Sequence, residues 1–197
     1  LHDALPISVT QTGNSQFGTD LIKIKNRTSG TTDNWMALSR LRGATKQWHL
    51  NTNDDEDEDT NGVTAFSATD GYTIGTGAGG YNDNTETFAD FHWRLDGTTG
   101  EELSDGDITS TVAANQTAGQ SAFTATLGGS ASTTYSMEHG LGAKPEFWIA
   151  KIIDAEGANQ VYHMGLTTPE DYVIRLDGSA AEAGSATRWG STEPTSQ

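Results

Sequence analysis

Residues 144–154, KPEFWIAKIID, form the most apolar short run in the chain, and they echo residues 18–28, GTDLIKIKNRT, which lie 126 positions earlier. In the earlier copy Ile22 and Ile24 alternate with Lys23 and Lys25, the period of two expected of a half-buried strand. At the same offset Asp20 falls on Glu146, Ile22 on Trp148, Ile24 on Ala150 and Lys25 on Lys151, so the inward positions stay apolar. The offset also carries Trp48 to Ile174, Leu50 to Leu176 and Asn51 to Asp177, with a small length change in between, around Trp35 and Tyr162. Two alternating strands that recur in register predict a repeated β-module rather than one catalytic domain.

The rest of the composition agrees. A chain of 197 residues holds one large or two small domains with a real core. Only 34 % of it is hydrophobic and 23 residues are glycine, a mixture that favours turns and short strands over helices. Eleven basic residues against 27 acidic ones give a net charge of −16, which argues against nucleic acid, whose phosphates need Lys and Arg, and against a membrane surface. No stretch approaches the ~18 apolar residues of a spanning helix. The absence of cysteine removes disulfides, thiolate metal sites and a Cys nucleophile.

Outward from the opening stretch, KQWHLN (46–51) sets Trp48 and Leu50 on one face, and ADFHWRL (89–95) sets Phe91, Trp93 and Leu95 against His92 and Arg94. On this phase Trp48 and Trp93 are expected in the core, while His49 and His92 face solvent or cap a sheet surface. Asp70-Gly71 reads as a turn before a strand in SATDGYTIG. Residues 98–120 are poor in large apolar groups and are expected to connect two modules. Strands are expected again in SAFTATL, TTYSMEHGL, EFWIAKII, QVYHM and YVIRLD. The first eight residues, LHDALPIS, share no pattern with the rest of the chain; they look like adapter-derived sequence, with an ordinary N-terminal linker as the alternative, and are expected to stand outside the fold.

DLIKIKNRTS, LRGATKQWHLNT, FSATDGYTIG and FADFHWRLDG, in that order, resemble the repeating module of an uncharacterised β-rich domain in tail-fibre and other virion proteins of bacteriophages, many of them marine. DGDITSTVAANQTAGQSAFTATL, HGLGAKPEFWIAK, VYHMGL and RLDGSAAEAGSATRWGSTEPTS resemble the module that usually comes next, so the likeness runs from about residue 9 to the last. Where that family commonly has Pro-Asp before the first strand this chain has Thr19-Asp20, and the second copy has Pro145-Glu146. The family's next strand after PTS is not present, so an open sheet edge is expected. The resemblance implies a role in the particle and transfers no catalytic or binding residue.

Several local motifs invite chemistry. In NDDEDEDTNG, which holds the acidic run Asp54–Asp59, Asp57, Asp59, Asn61 and Gly62 stand at the spacing of the first half of a calcium loop, but Ala68 stands where the bidentate carboxylate belongs. Asp57, Asp59 and Asn61 are therefore candidate ligands of a weak cation site, against a solvated loop that lengthens a hairpin. GTGAGG, with Gly75, Gly77 and Gly80, matches a dinucleotide fingerprint but leads toward a strand rather than the helix that motif requires. Histidines 49, 92, 139 and 163 show no metal spacing and there is no nucleophile elbow. Of the five tryptophans, Trp35 and Trp189 lie near loops and are the candidate surface contacts for a ligand. Asn26-Arg27-Thr28 and Asn115-Gln116-Thr117 have the form of glycosylation sequons.

The expectation is an all-β chain of two tandem antiparallel β-sandwich-like modules, residues 9–97 and 108–197, joined by a linker at 98–107, the second incomplete at its end. A virion structural component, part of a tail fibre or particle-surface appendage, is the first functional reading. A carbohydrate-binding module for host glycans is the alternative, and a glycan-degrading enzyme comes third. The first reading expects no catalysis and no cofactor, other virion proteins as partners, location in the virion and, by analogy with fibres, a homotrimer.

Overall fold

The computed structural model describes residues 5–13, 16–28, 33–76, 82, 86–128, 133–184 and 188–196. These residues contain strands and turns and no helix, so none of them supplies a helix long and apolar enough to cross a membrane. The first half contains β1 (Ile7–Thr10), β2 (Leu21–Asn26), β3 (Met36–Ser39), β4 (Lys46–His49), β5 (Asp57–Glu58), β6 (Val63–Phe66), β7 (Gly71–Ile74) and β8 (Phe88–Trp93). They form two antiparallel sheets, β5-β4-β3-β2-β8 and β1-β7-β6. Ile22, Ile24, Met36 and Leu38 from the larger sheet meet Val63, Tyr72 and Ile74 from the smaller, so the expected sandwich is present. Ile22 and Val63 are fully buried, each contributing about 1.5–3 kcal/mol from transfer out of water.

The second half contains β9 (Glu101–Leu103), β10 (Ser110–Asn115), β11 (Gln120–Ala125), β12 (Phe147–Ala150), β13 (Gln160–His163), β14 (Tyr172–Arg175) and β15 (Ala183–Gly184). The sheet β11-β10-β9 is followed by β12-β13-β14-β15, again antiparallel. Residues 139–141 fold back over β10. Gly140 adopts φ +71°, and a Cβ there would come within 2.8 Å of the Val112 side chain, so both conformation and space call for glycine.

The repeat is visible in the hydrogen-bonding. Ile22 pairs with Leu38 in β2–β3, and Trp148 pairs with Tyr162 in β12–β13. Ala37 pairs with Trp48 in β3–β4, and Val161 with Ile174 in β13–β14. The flanking bonds recur too: Arg40 N–H to the Asp20 carbonyl (2.7 Å) matches Met164 N–H to Glu146 (3.0 Å), and Leu50 N–H to Trp35 (2.9 Å) matches Leu176 N–H to Asn159 (3.0 Å). Even a side-chain bond repeats, Lys25 Nζ to the Asp33 carbonyl at 2.8 Å and Lys151 Nζ to that of Gly157 at 2.6 Å. First and third strands keep the offset of 126; the middle strand shifts by two, because the first hairpin loop is shorter and the second longer in the later copy. Ile22 and Trp148 thus occupy equivalent strands.

Four expectations are corrected. Ile7 and Ser8, placed outside the fold, begin β1 and pair with Ile74 and Thr73; backbone pairing with β7 does not need the side-chain pattern they lack. Residues 98–107, expected as a linker, carry β9, and the connecting stretch beyond it carries β10, where Ser110, Val112 and Ala113 are buried. Residues 133–141, read as a strand, form none; Ser136 is held instead by the Asp107 carboxylate, through its N–H at 2.9 Å and its hydroxyl at 2.7 Å. The phase of β4 and β8 is also reversed. Pairing of Ile22 with His92 and of Leu38 with Gln47 puts His92 and Gln47 on the core side, and Trp48, Phe91 and Trp93 on the opposite face. Both alternating sets of FADFHW contain aromatic rings, so size alone could not choose between them.

Candidate recognition surfaces

The reversed phase creates an aromatic face. Register places Phe91, Lys23, Ala37 and Trp48 in one row across the larger sheet of the first half, and Trp93, Leu21 and Ser39 in the next. Phe91 is 50 % exposed and stacks with Trp93 at 6.4 Å between ring centroids and 27° between planes. Alternation from Ala37 brings Trp35 to this face, and Lys23 Nζ lies 4.1 Å from the centroid of its ring. Ala37, only 2 % exposed, forms a low floor between larger neighbours. Flat rings beside an ammonium donor on an open sheet face can receive the apolar side of a ring-shaped polar ligand.

Trp189, the other predicted contact, is used differently. Trp148 stacks flat on Tyr162 at 3.7 Å and 4°, and Trp189 stands edge-on to both, at 5.2 Å and 6.1 Å. Its indole N–H donates to the Tyr172 carbonyl at 2.9 Å. Trp189 therefore covers the inner face of the second three-stranded meander. Tyr162 is fully buried beneath this cluster, and burial pushes its phenol pKa up.

The acidic run diverges rather than converging. Glu56 turns inward, 6 % exposed, and takes Arg42 through both oxygens, at 2.6 and 3.0 Å; that hydrogen bond holds the guanidinium pKa above its ordinary value. On β5, Asp57 accepts from Gln47 Nε2 at 3.2 Å and Glu58 from Lys46 Nζ at 2.9 Å. Asp59 accepts the Asn61 backbone N–H at 2.8 Å. The Asp57 and Asp59 carboxylates are thus engaged locally, Asn61 is held through its main chain, and among the described residues no group of three His, Cys, Asp or Glu is placed to hold a metal ion. The run is an edge strand with a loop before it, rather than only a solvated loop. Gly77 and Gly80 of the glycine-rich stretch lie outside the described residues.

A family model for a domain of unknown function, DUF7483, matches residues 6–197. The chain belongs to the DUF7483 family. No curated protein and no solved structure matches it. The DUF7483 match spans all four sheets and begins just before β1, so Ile7 and Ser8 lie within the family's domain.

Within the DUF7483 domain the histidine with the most polar partners is His92. Its Nδ1 lies 3.1 Å from the Thr19 hydroxyl and its Nε2 2.7 Å from Asp90 Oδ2, which also accepts the Tyr72 hydroxyl at 2.6 Å. A hydroxyl, an imidazole and a carboxylate in line have the order of a nucleophilic triad, but Thr19 is fully buried and cannot meet a substrate. The arrangement pairs polar side chains between the two sheets through Asp90 Oδ2, while the buried Asp90 Oδ1 has no partner among the described residues. Asn26 is equally engaged: its amide donates to Asp33 and Glu86 and its carbonyl accepts the Thr28 N–H, with 2 % exposed, so the first sequon offers no accessible nitrogen. An open groove of about 680 Å³ lies between the chain after β8 and β10, lined by Asp96, Glu101, Asn115 and Gln116 among others.

Proposed function

We propose that this chain is a structural component of a bacteriophage particle, built into a tail fibre or surface appendage beside other virion proteins. The observation that carries the reading is the in-register duplication, joined to the resemblance of the ordered motifs to phage virion modules. Small repeated β-units that dock on one another extend reach and multiply weak contacts, which suits a fibre. The copies are tied by backbone bonds, Glu56 N–H to the Ile153 carbonyl at 2.9 Å and Gly157 N–H to that of Asn53 at 2.7 Å. The reading involves no catalysis, and takes a homotrimer as the assembled unit, which sedimentation equilibrium weighs directly. Mass spectrometry of density-purified phage particles tests it. The tryptic peptide of residues 152–175 is expected in the particle fraction, and its confinement to particle-free cell extract contradicts the proposal.

The aromatic face favours a second reading, recognition of a host surface glycan, which is compatible with the first. Stacked Phe91 and Trp93 with Trp35 would take the apolar face of a sugar, and Lys23 its hydroxyl or carboxylate oxygens. On a glycan array the protein is expected to retain at least one glycan, with Phe91→Ala lowering retention about tenfold. Absence of any retained glycan, or indifference to Phe91→Ala, contradicts this reading.

A further inference from the structure

β2 is paired on both sides, so the residues that leave its outer face form a fixed column: Leu21, Lys23 and Lys25 alternate with the buried Ile22, Ile24 and Asn26. The Arg27 N–H donates to the Thr87 carbonyl at 2.6 Å, which carries the pairing one residue further and adds the exposed Arg27 to the column. Successive members stand about 6.8 Å apart. The outward residues of β3, β2 and β8 include no carboxylate, in a chain with 27, because Asp90 lies on the inner face beside Tyr72. The carboxylates of Asp33 and Glu86, near the end of the column, take the Asn26 amide instead. Lys23 Nζ rests on the Trp35 ring and Lys25 Nζ donates to a main-chain carbonyl, so among the described residues no ion pair neutralises Lys23, Lys25 or Arg27. The later copy shows that the meander forms without two of these cations. At the offset of 126 Lys23 becomes Ile149 and Arg27 becomes Ile153, whereas Lys25 becomes Lys151 and keeps its main-chain bond.

Resting on the glycan reading above, we propose that the ligand is a polysaccharide with carboxylated sugars, laid along β2. Lys23 and Arg27 take carboxylates on separate sugars, while Phe91 and Trp93, paired with Lys23 and Leu21, receive the apolar face of a ring beside them. The forked Arg27 guanidinium matches a carboxylate through two parallel hydrogen bonds, and the Lys23 ammonium, held over Trp35, supplies a point charge. Local charge outweighs the net −16, because exposed carboxylates elsewhere are screened beyond about 8 Å at physiological ionic strength. A single-stranded nucleic acid also combines anions with flat faces, but its affinity draws on many phosphates at once, more than this column can neutralise.

The probes are polygalacturonate, polymannuronate and hyaluronate, each with its carboxyl-reduced form, titrated by biolayer interferometry without divalent cations. At least one acidic polymer is expected to bind at least about tenfold more tightly than its reduced form. Lys23→Gln combined with Arg27→Gln is expected to remove that preference with the circular dichroism spectrum retained. Lys23→Arg is expected to keep it, and so is Lys144→Gln, which removes a cation from the second half of the chain. Equal binding of acidic and reduced polymers, or retention of neutral glycans only, overturns the carboxylate assignment and leaves the glycan reading standing. No retained glycan of any kind overturns both. A preference that survives the double substitution, or a single-stranded DNA oligonucleotide bound as tightly as the best acidic polymer, also overturns the assignment.

Discussion

Asp20 is 1 % exposed and holds the first module together at one point. One carboxylate oxygen accepts Arg40 Nε at 2.6 Å, and the other accepts the backbone N–H groups of Leu95 and Gly97 at 2.8 and 3.0 Å. Arg40 also reaches the carbonyls of Thr19 and Ser67, at 2.8 and 2.6 Å. Asp20→Ala strands a largely buried guanidinium and is expected to cost about 3–5 kcal/mol in urea unfolding; a loss below about 1 kcal/mol contradicts this role. Nothing in GTDLIKIKN announces it, because Arg40, Leu95 and Gly97 are brought there only by the completed sheet. The later copy has Glu146 and Met164 at the matching positions, so the ion pair is not duplicated although the backbone bond is. The candidate site is legible to the same degree: the place of Trp35 near a loop signals it, while Phe91 and Trp93 read as core because their partners across the sheet cannot be seen in β8 itself.

Strands with one apolar set and one charged set are legible, and LIKIKN folds with Ile22 and Ile24 buried as its alternation requires. Strands with rings or carboxylates on both sides are not. In β5 the acidic residues form an edge strand because Lys46, Thr45 and Gln47 on and beside β4 supply donors across the ladder. The Lys46 ammonium holds the Glu58 carboxyl below its ordinary pKa. A carboxyl with a lower pKa folded than unfolded stabilises the fold above the unfolded value, and that contribution is lost as pH falls through the folded value. Glu58→Gln is therefore expected to lower the urea midpoint at neutral pH and to converge on the parent protein as the pH falls through the folded carboxyl's value. Comparing the two proteins cancels the relief of self-repulsion that acid brings to a chain of charge −16. A gap that stays constant or widens on acidification contradicts the assigned bond.

The repeat is legible across the whole molecule because it lies in spacing, whereas the way the copies meet is not. Asn159, fully buried and equivalent to Trp35, donates its amide to the His49 and Thr52 carbonyls at 2.9 and 2.7 Å, so a position that serves the open face in one copy serves the junction in the other. Asn159→Ala leaves two acceptors without their partner and is expected to cost about 1–3 kcal/mol. It should also speed hydrogen exchange at the Glu56 and Gly157 amides, and unchanged exchange there contradicts the docking role. The central claim is that one antiparallel meander occurs twice with the same pairing. Nuclear Overhauser contacts between α-protons across non-hydrogen-bonded pairs test it most directly, since those Cα atoms approach to about 4.5 Å. Lys23–Ala37 and Met36–His49 should be matched by Ile149–Val161 and Gln160–Arg175; a second set displaced by one residue, or absent, would contradict the duplication.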